Sequence, residues 1–139
     1  MNNIAKDVRQ AVYTALNALN YNGGNLPVHL VVPDPPVYPY LVLEGVSMDN
    51  TSSQVCVEAM CRVTIEAVSA WQAGGGGMNT VDDIETLVCA ALDPIASPVM
   101  NKHFGSKFVT SSHLKDYDGA RVIIRKRIEF EISTEQLTT

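Results

Sequence analysis

Residues 54–68 read QVCVEAMCRVTIEAV, and this stretch decides the fold. Apolar and polar side chains alternate along it, a pattern typical of an antiparallel β-strand with one face on a core and the other in solvent. The length of the run predicts a strand that projects beyond the sheet. The apolar face carries Val55, Val57, Ala59, Cys61, Val63, Ile65 and Ala67, and the other face carries Gln54, Cys56, Glu58, Met60, Arg62, Thr64 and Glu66.

An amphipathic helix is predicted to follow this strand. Trp71 comes next, and four glycines at 74–77 then indicate a flexible loop. Thr80 is placed to cap the helix, because the acidic residue Asp83 stands three positions later. Asp93-Pro94 is expected to end it. The apolar stripe of this helix consists of Val81, Ile84, Leu87, Val88, Ala91 and Leu92.

A second long strand is predicted from Arg121 to Ile132. The dipeptide Asp118-Gly119 in front of it is typical of a hairpin turn. Residues 133–139 are polar and are expected to fray. The apolar face of this strand carries Val122, Ile124, Ile128, Phe130 and Ile132, and the opposite face carries Arg121, Ile123, Arg125, Arg127, Glu129 and Glu131.

The N-terminal part begins with another amphipathic helix, in which apolar residues recur at spacings of three and four over residues 4–19. The run NYNGG at 20–24 is expected to end it, since glycine tolerates the left-handed backbone past a helix terminus. The remaining predictions are a short strand at 28–32, a proline-rich extended connection at 33–39, a strand at 40–46, and a loop over 94–118 with one short strand at 108–110.

The order of these elements is helix, about three strands, helix and about two strands. This order predicts an α+β fold, with an antiparallel sheet of about four to five strands and two amphipathic helices packed on one face. The length of 139 residues suits a single domain. We assign residues 1–132 to that domain and residues 133–139 to a polar C-terminal tail.

Composition and charge exclude several classes of protein. The chain is 46% hydrophobic and 18% charged, which is typical of a folded domain. No apolar run approaches the ~20 residues of a membrane span, and the first residues lack the features of a signal peptide. We therefore expect synthesis and folding in a cytoplasm, and no membrane partner.

The formal net charge of −5 is unevenly distributed. Residues 1–100 hold three basic and ten acidic side chains, whereas residues 101–139 hold seven basic and five acidic ones. A general nucleic-acid-binding protein needs a basic face, so the acidic body argues against that function. A nucleic-acid-binding module at Arg121–Arg127 stays open as an alternative.

No catalytic site, cofactor site or metal site is predicted. The glycine run lacks the Gly-Lys-Ser/Thr ending of a phosphate loop, and neither a nucleophile elbow nor a zinc-protease motif occurs. A rival interpretation, a small-ligand-binding α+β module or enzyme, would need a pocket with convergent polar groups. The isolated histidines His29, His103 and His113 are interpreted as solvated residues, and Cys56, Cys61 and Cys89 as reduced thiols.

One cation stands out because it falls on the apolar face of the last strand. An isolated ammonium at Lys126 would be costly to bury. We favour a bulge or a position past the edge of the core, and the alternatives are a carboxylate partner or a contact with another subunit. Asp82, Asp83 and Glu85 crowd the start of the second helix, where the helix dipole stabilises each carboxylate by about 0.3–1 kcal/mol.

The polar faces of the two long strands carry complementary charges. Ion pairs across neighbouring strands would explain them, at ~0.2–1 kcal/mol each. An interface between copies of the chain, where charges set register and orientation, would explain them equally well.

Four segments resemble the tail terminator (tail completion) proteins of long-tailed bacteriophages, the head–tail joining group. They are VRQAVYTALNAL in the first helix, YPYLVLEG at 38–45, VTIEAVSAW at 63–71 with GGGG and VDDIETLVCAAL behind it, and the charged closing strand RVIIRKRIEFEI. Together they span nearly the whole chain in the same order.

The resemblance implies a virion structural protein without an active site. Such proteins form a homo-oligomeric ring, usually a hexamer, at the head-proximal end of the tail tube. The ring ends tube polymerisation and docks the head–tail connector protein. Six copies at −5 would carry roughly −30, so DNA would pass through the lumen without specific binding. Another neck or tail part, such as a head-closure or tube protein, is the alternative.

The resemblance makes the charged strand faces candidates for a subunit or tube interface. Segments 53–58, 74–79 and 102–117 are further candidates for such contacts. Reversing the charges of Arg125 and Arg127 is expected to weaken ring assembly without unfolding the chain. The candidate interface residues are Glu58, Arg62, Glu66, Arg125, Lys126 and Arg127.

Overall fold

Two helices and a mostly antiparallel sheet make up the structure, a computed structural model, as the α+β prediction expected. It describes residues 4–33, 36–49, 57–72, 78–93, 95, 102–119 and 121–136. In chain order the elements are α1 (Ile4–Asn17), β1 (Asn20–Tyr21), β2 (Gly24–Asn25), β3 (Val28–His29), β4 (Tyr40–Asp49), β5 (Val57–Gln72), α2 (Met78–Leu92), β6 (Lys102–Asp118) and β7 (Arg121–Gln136).

The main sheet has five strands in the order β3-β4-β5-β7-β6. Every neighbouring pair is antiparallel except β3 and β4, which are parallel. The parallel pair departs from the antiparallel prediction, and the cause is the long proline-rich connection between these strands. Parallel neighbours need such a connection, because the chain must return to the same end of the sheet.

Both helices lie on one face of the sheet, as predicted. α1 packs on β3, β4 and β5, α2 packs on β5 and β7, and the two helices touch each other. The alternation of β5 and β7 puts their apolar faces against this helix layer. The centre of the core consists of Val8, Val12, Leu16, Leu41, Val63, Ile65, Ile84, Val88, Leu92, Ile124, Ile128, Phe130 and Ile132.

The run NYNGG at 20–24, which was predicted only to end the first helix, also contributes to a small hairpin. α1 ends at Asn17, two residues before the predicted end, and β1 and β2 then form a small hairpin. The two residues at its tip, Asn22 and Gly23, have φ values of 52° and 81°. Positive φ at both central positions is the geometry that selects Asn-Gly in two-residue hairpins.

The predicted loop over 94–118 is wrong for most of its length. Residues 102–118 form β6, a strand of 17 residues that pairs with β7 from Lys102 opposite Gln136 to Asp118 opposite Arg121. The hairpin predicted at Asp118-Gly119 is confirmed, with Gly119 at φ 62°. β6 is the outer strand of the sheet. Phe104 near its start is buried in the core, but from Lys107 onward most of the described side chains on both faces are exposed. A strand exposed on both faces needs no alternation of apolar and polar residues.

Several other boundaries differ from the prediction. β7 continues past Ile132 to Gln136, because its last residues pair with β5 on one side and with β6 on the other. β5 extends to Gln72, and residues 54–56 of the predicted strand lie outside the described residues. α2 begins at Met78, which places Thr80 within the first turn instead of at the cap.

Candidate functional site: the charged face and the buried lysine

The candidate interface residues divide between the two faces of the sheet. Arg62, Glu66, Arg125 and Arg127 lie on the open face, which no described helix covers, whereas Lys126 points to the helix layer. This division follows from the alternation of side chains along β5 and β7. Glu58 belongs to β5, but its side chain lies outside the described part of the chain.

Arg125 lies at the centre of the ion pairs on the open face. Its Nη1 is 3.2 Å from Glu66 Oε1, and its Nε is 3.5 Å from Asp116 Oδ2. Burial alone lowers the pKa of Arg125, but the hydrogen bond and charge of Glu66 raise it above the ordinary value. Arg125 is therefore a permanent cation shared between β5 and β6.

Arg62 and Arg127 make more exposed ion pairs on either side of this centre. Arg62 Nη2 is 2.9 Å from Glu131 Oε1. Arg127 Nη2 lies 3.8 Å from Glu44 Oε2, and Arg127 Nε lies 3.7 Å from Glu129 Oε1. Ion pairs across strands, one of the two interpretations of these charges, are thus present. Such exposed pairs contribute ~0.2–1 kcal/mol each. About half of each of the two arginine side chains stays exposed, so both remain accessible to a partner.

Glu44 on the open face lies close to the carboxylate of Glu66. Burial, followed by the negative charge of Glu66, raises the pKa of Glu44. Arg127 opposes this rise. Glu44 therefore takes up a proton more readily than an ordinary glutamate as the pH falls.

At one end the open face is covered by aromatic side chains. The rings of Tyr38 and His29 lie 5.5 and 5.6 Å from that of Tyr40, and the Arg121 guanidinium lies 5.5 Å from the ring centre of Tyr38. Val68 and Tyr40 are consequently buried although they share the polar face. Burial raises the pKa of the Tyr40 hydroxyl.

Lys126 is buried on the helix side, with 6% of its surface exposed. Its Nζ lies 2.7 Å from Asp82 Oδ1 and 3.1 Å from Glu85 Oε1, both on α2. Of the explanations open at the level of sequence, the carboxylate partner is correct, and the favoured bulge or edge position is wrong. α2 has no acidic residue in its first turn, so Asp82 and Glu85 act mainly as partners of the lysine rather than through the helix dipole.

The ionisable groups around Lys126 change the pKa of their neighbours. Hydrogen bonds from Lys126, and then from His113, lower the pKa of Asp82. His113 reaches Asp82 from β6, with Nε2 3.3 Å from Oδ1. Burial alone lowers the pKa of Lys126, but its bonds to Asp82 and Glu85 raise it above the ordinary value. The cluster therefore joins α2, β7 and β6 through charge.

The described residues contain no group of three or more His, Cys, Asp or Glu side chains that could hold a metal ion. None of the described helices combines the length and apolarity of a membrane-spanning segment. The depressions in this part of the surface are open ones, such as the groove between α1 and Leu30 that Lys6, Arg9 and Tyr13 line.

The sequence did not reveal the contribution of β6 to these clusters. Asp116 joins the open face and His113 joins the buried cluster, and both come from the segment interpreted as a loop. A usable signal was present, since the hairpin turn at Asp118-Gly119 requires a strand on each side of it. Counting back from that turn would have placed His113 opposite Lys126.

Comparison with known proteins identifies a similar fold. No protein-family model and no curated protein matches this sequence. Among solved structures, the chain is similar to one from the virion of a native gene transfer agent (GTA) particle, with a TM-score of 0.73. The two are 17% identical, and the match covers 97% of this chain and 99% of that one. The shared fold therefore extends over almost the whole of both chains.

Removing the buried cation should destabilise the fold. Lys126→Met leaves Asp82 and Glu85 facing the sheet without a counter-charge, and breaking a buried ion pair in this way costs up to ~3–5 kcal/mol. Because Asp82 is half exposed, we expect a loss of about 2–3 kcal/mol at pH 7, measured by urea unfolding. Lys107→Met on the exposed surface of β6 is the matched control, with a change below about 0.5 kcal/mol. An unchanged stability of Lys126→Met would contradict this account.

The same variant should alter the response to acid. A carboxyl with a lowered pKa in the folded state stabilises the fold above its ordinary pKa, and this contribution is lost as the pH falls through the folded-state pKa. Asp82 should therefore cost the wild-type chain stability below about pH 4. Lys126→Met lacks the largest cause of the lowered pKa, so its free energy of unfolding should fall less over that range. Parallel pH profiles would refute the assignment.

Proposed function

We propose that this chain is a structural component of a phage or phage-like virion, and within it a tail terminator. Copies of the chain would form a closed ring, usually a hexamer, at the head-proximal end of the tail tube. The ring would stop tube polymerisation and dock the head–tail connector protein in the neck. The observation that carries this proposal is the fold shared end to end with a chain of a gene transfer agent virion.

The chemistry of the described surface supports a structural role. The charged side chains of the open face are engaged with one another, and the buried lysine is held by two carboxylates of its own chain. These groups are committed to holding strands and helices together. An enzyme of this size would instead need polar groups that converge on a concave pocket.

The open face is the surface that we assign to the tail tube or the connector. The opposite face is occupied by the two helices, so it cannot offer a flat sheet to a partner. The side chains of Arg62 and Arg127 remain 49% and 55% exposed in spite of their ion pairs. Charges of this kind contribute more to the orientation and specificity of a contact than to its strength.

DNA would pass through such a ring without specific binding. Arg62, Arg125 and Arg127 each lie within 4 Å of a carboxylate, so the open face lacks the excess positive charge that displaces counterions from phosphates. A net charge of −5 for each copy would repel DNA further. Salt-dependent binding to duplex DNA would instead favour the nucleic-acid-binding alternative.

The first test is the mass and shape of the assembled chain. Light scattering behind a sizing column, over a concentration series, should show one closed species of about six copies. Negative-stain images of the peak should show rings of uniform diameter. Filaments that lengthen with concentration would contradict a terminator and indicate a tube protein, because a head-to-tail contact that does not close grows without limit.

A second test concerns the open face. Arg62→Glu combined with Arg127→Glu should abolish binding to tubes assembled from the tube protein encoded in the same genome, through like-charge repulsion with the neighbouring carboxylates. Arg62→Lys combined with Arg127→Lys is the matched control, which keeps both charges and should retain binding. Co-sedimentation with the tubes measures both variants. Full binding by the double glutamate variant would exclude this face from the tube contact.

A further inference from the structure

The exposed apolar side chains of the described residues have a common location. Among the described residues, every large hydrophobic side chain that is exposed lies at one of the two edges of the main sheet or beside it. Large exposed apolar clusters usually mark interaction surfaces, whereas single ones do not. The eight residues are Tyr13, Leu30, Val31, Val37, Phe108, Val109, Leu114 and Tyr117.

The first cluster lies at the edge formed by β3, and we call it the β3-edge patch. Leu30 and Val31 follow β3 directly, with 57% and 85% of their surfaces exposed. Tyr13 of α1 lines the same groove as Leu30. Val37 borders a second depression beside Leu26 and Pro27, the residues that lead into β3.

The second group lies along the opposite edge, and we call it the β6-edge patch. It consists of Phe108, Val109, Leu114 and Tyr117, of which Tyr117 is 75% exposed. Phe108 and Tyr117 pair with inward residues of β7 and Leu114 pairs with Arg125, so the group borders the edge on both faces of the sheet. β6 is the terminal strand of the sheet, so among the described strands nothing pairs with its outer side. An edge of 17 residues that carries apolar side chains is a ready template for pairing with another chain.

From this arrangement we infer that the ring contact is edge to edge: the β6-edge patch of one copy packs on the β3-edge patch of the next. The inference rests on the proposed ring and names the surface that builds it. Two unlike patches on opposite edges of one sheet are what a head-to-tail contact requires, since each copy must offer both halves of the interface. A surface for a foreign partner would need only one of them.

The charges on β6 oppose the alternative contact, which is the pairing of two β6 strands. The β3 edge differs from β6 in that residues 26–33 contain no Asp, Glu, Lys or Arg, and the cations beside it, Lys6 and Arg9, belong to α1. β6 carries exposed lysines at Lys107 and Lys115. An antiparallel pair of β6 strands centred on Ser111 would place Lys107 of each copy near Lys115 of the other, and like charges across strands are destabilising.

The test places a charge in each patch separately. Val31→Asp disables the β3-edge patch and Leu114→Asp disables the β6-edge patch, and both sites are exposed enough to spare the fold. Each variant alone should scatter light as a monomer of 15.1 kDa, about a sixfold loss of mass relative to the ring. A 1:1 mixture should form a dimer and stop there, because one intact half of the interface remains on each variant. Ala90→Asp on the exposed side of α2 is the control and should still form rings.

The outcomes separate the failure of this inference from failure of the proposed function. Rings formed by Val31→Asp or by Leu114→Asp overturn the edge-to-edge contact and leave the ring proposal standing. Assembly lost in Leu114→Asp but kept in Val31→Asp overturns it in favour of β6 pairing with itself. A mixture that remains monomeric also overturns it. A wild-type chain that stays monomeric at every concentration overturns both proposals, and circular dichroism confirms the fold of each variant.

Discussion

The pairing of β5 with β7 is the constraint on which the rest of the structure depends. Apolar and polar residues alternate along most of both strands, so pairing them in register sorts their side chains into an apolar face and a charged face. A slip of β7 by one residue against β5 would turn Ile128 to solvent and carry Arg125 into the core. The helices settle on the apolar face because it is the surface that must be covered. The ion pairs arise on the other face because opposite charges then stand on neighbouring strands.

Lys126 is an exception to this sorting of side chains, because it is a cation on the apolar face. Its ion pairs with two carboxylates of α2 help to position that helix on the sheet. The lysine occupies an inward position of β7, and its ammonium is stabilised only because Asp82 and Glu85 meet it from the helix. Burying a cation without such partners would be costly. Asp82 also contacts His113 of β6, and Ser106 of β6 donates a hydrogen bond to the Leu92 carbonyl at the end of α2, so the outer strand is connected to the helix layer beyond its backbone pairing. These contacts lie on the helix side of β6, and no described strand pairs with its outer edge.

Much of this architecture could be predicted from the sequence, and the failures have a common cause. The helices, β5 and β7 were predictable because each buries one face, which imposes a period on the sequence. β6 was not predictable in this way, since most of its residues are exposed on both faces and show no such period. The carboxylate partner of Lys126 was not predictable either, because a contact between residues 82 and 126 depends on how the helix crosses the sheet. The alternation of residues placed Arg62, Glu66, Arg125 and Arg127 on the polar strand faces, whereas the exposed apolar residues at the sheet edges follow no sequence pattern.

The central claim is that assembly covers both edges of the sheet and leaves its charged face exposed. Hydrogen–deuterium exchange measured below and above the concentration of assembly tests it directly. Backbone amides at 108–117 and at 28–33 should both become protected in the assembled state, while those of β5, already paired on both sides, should change little. Protection at only one of the two edges, or at neither, would contradict the account.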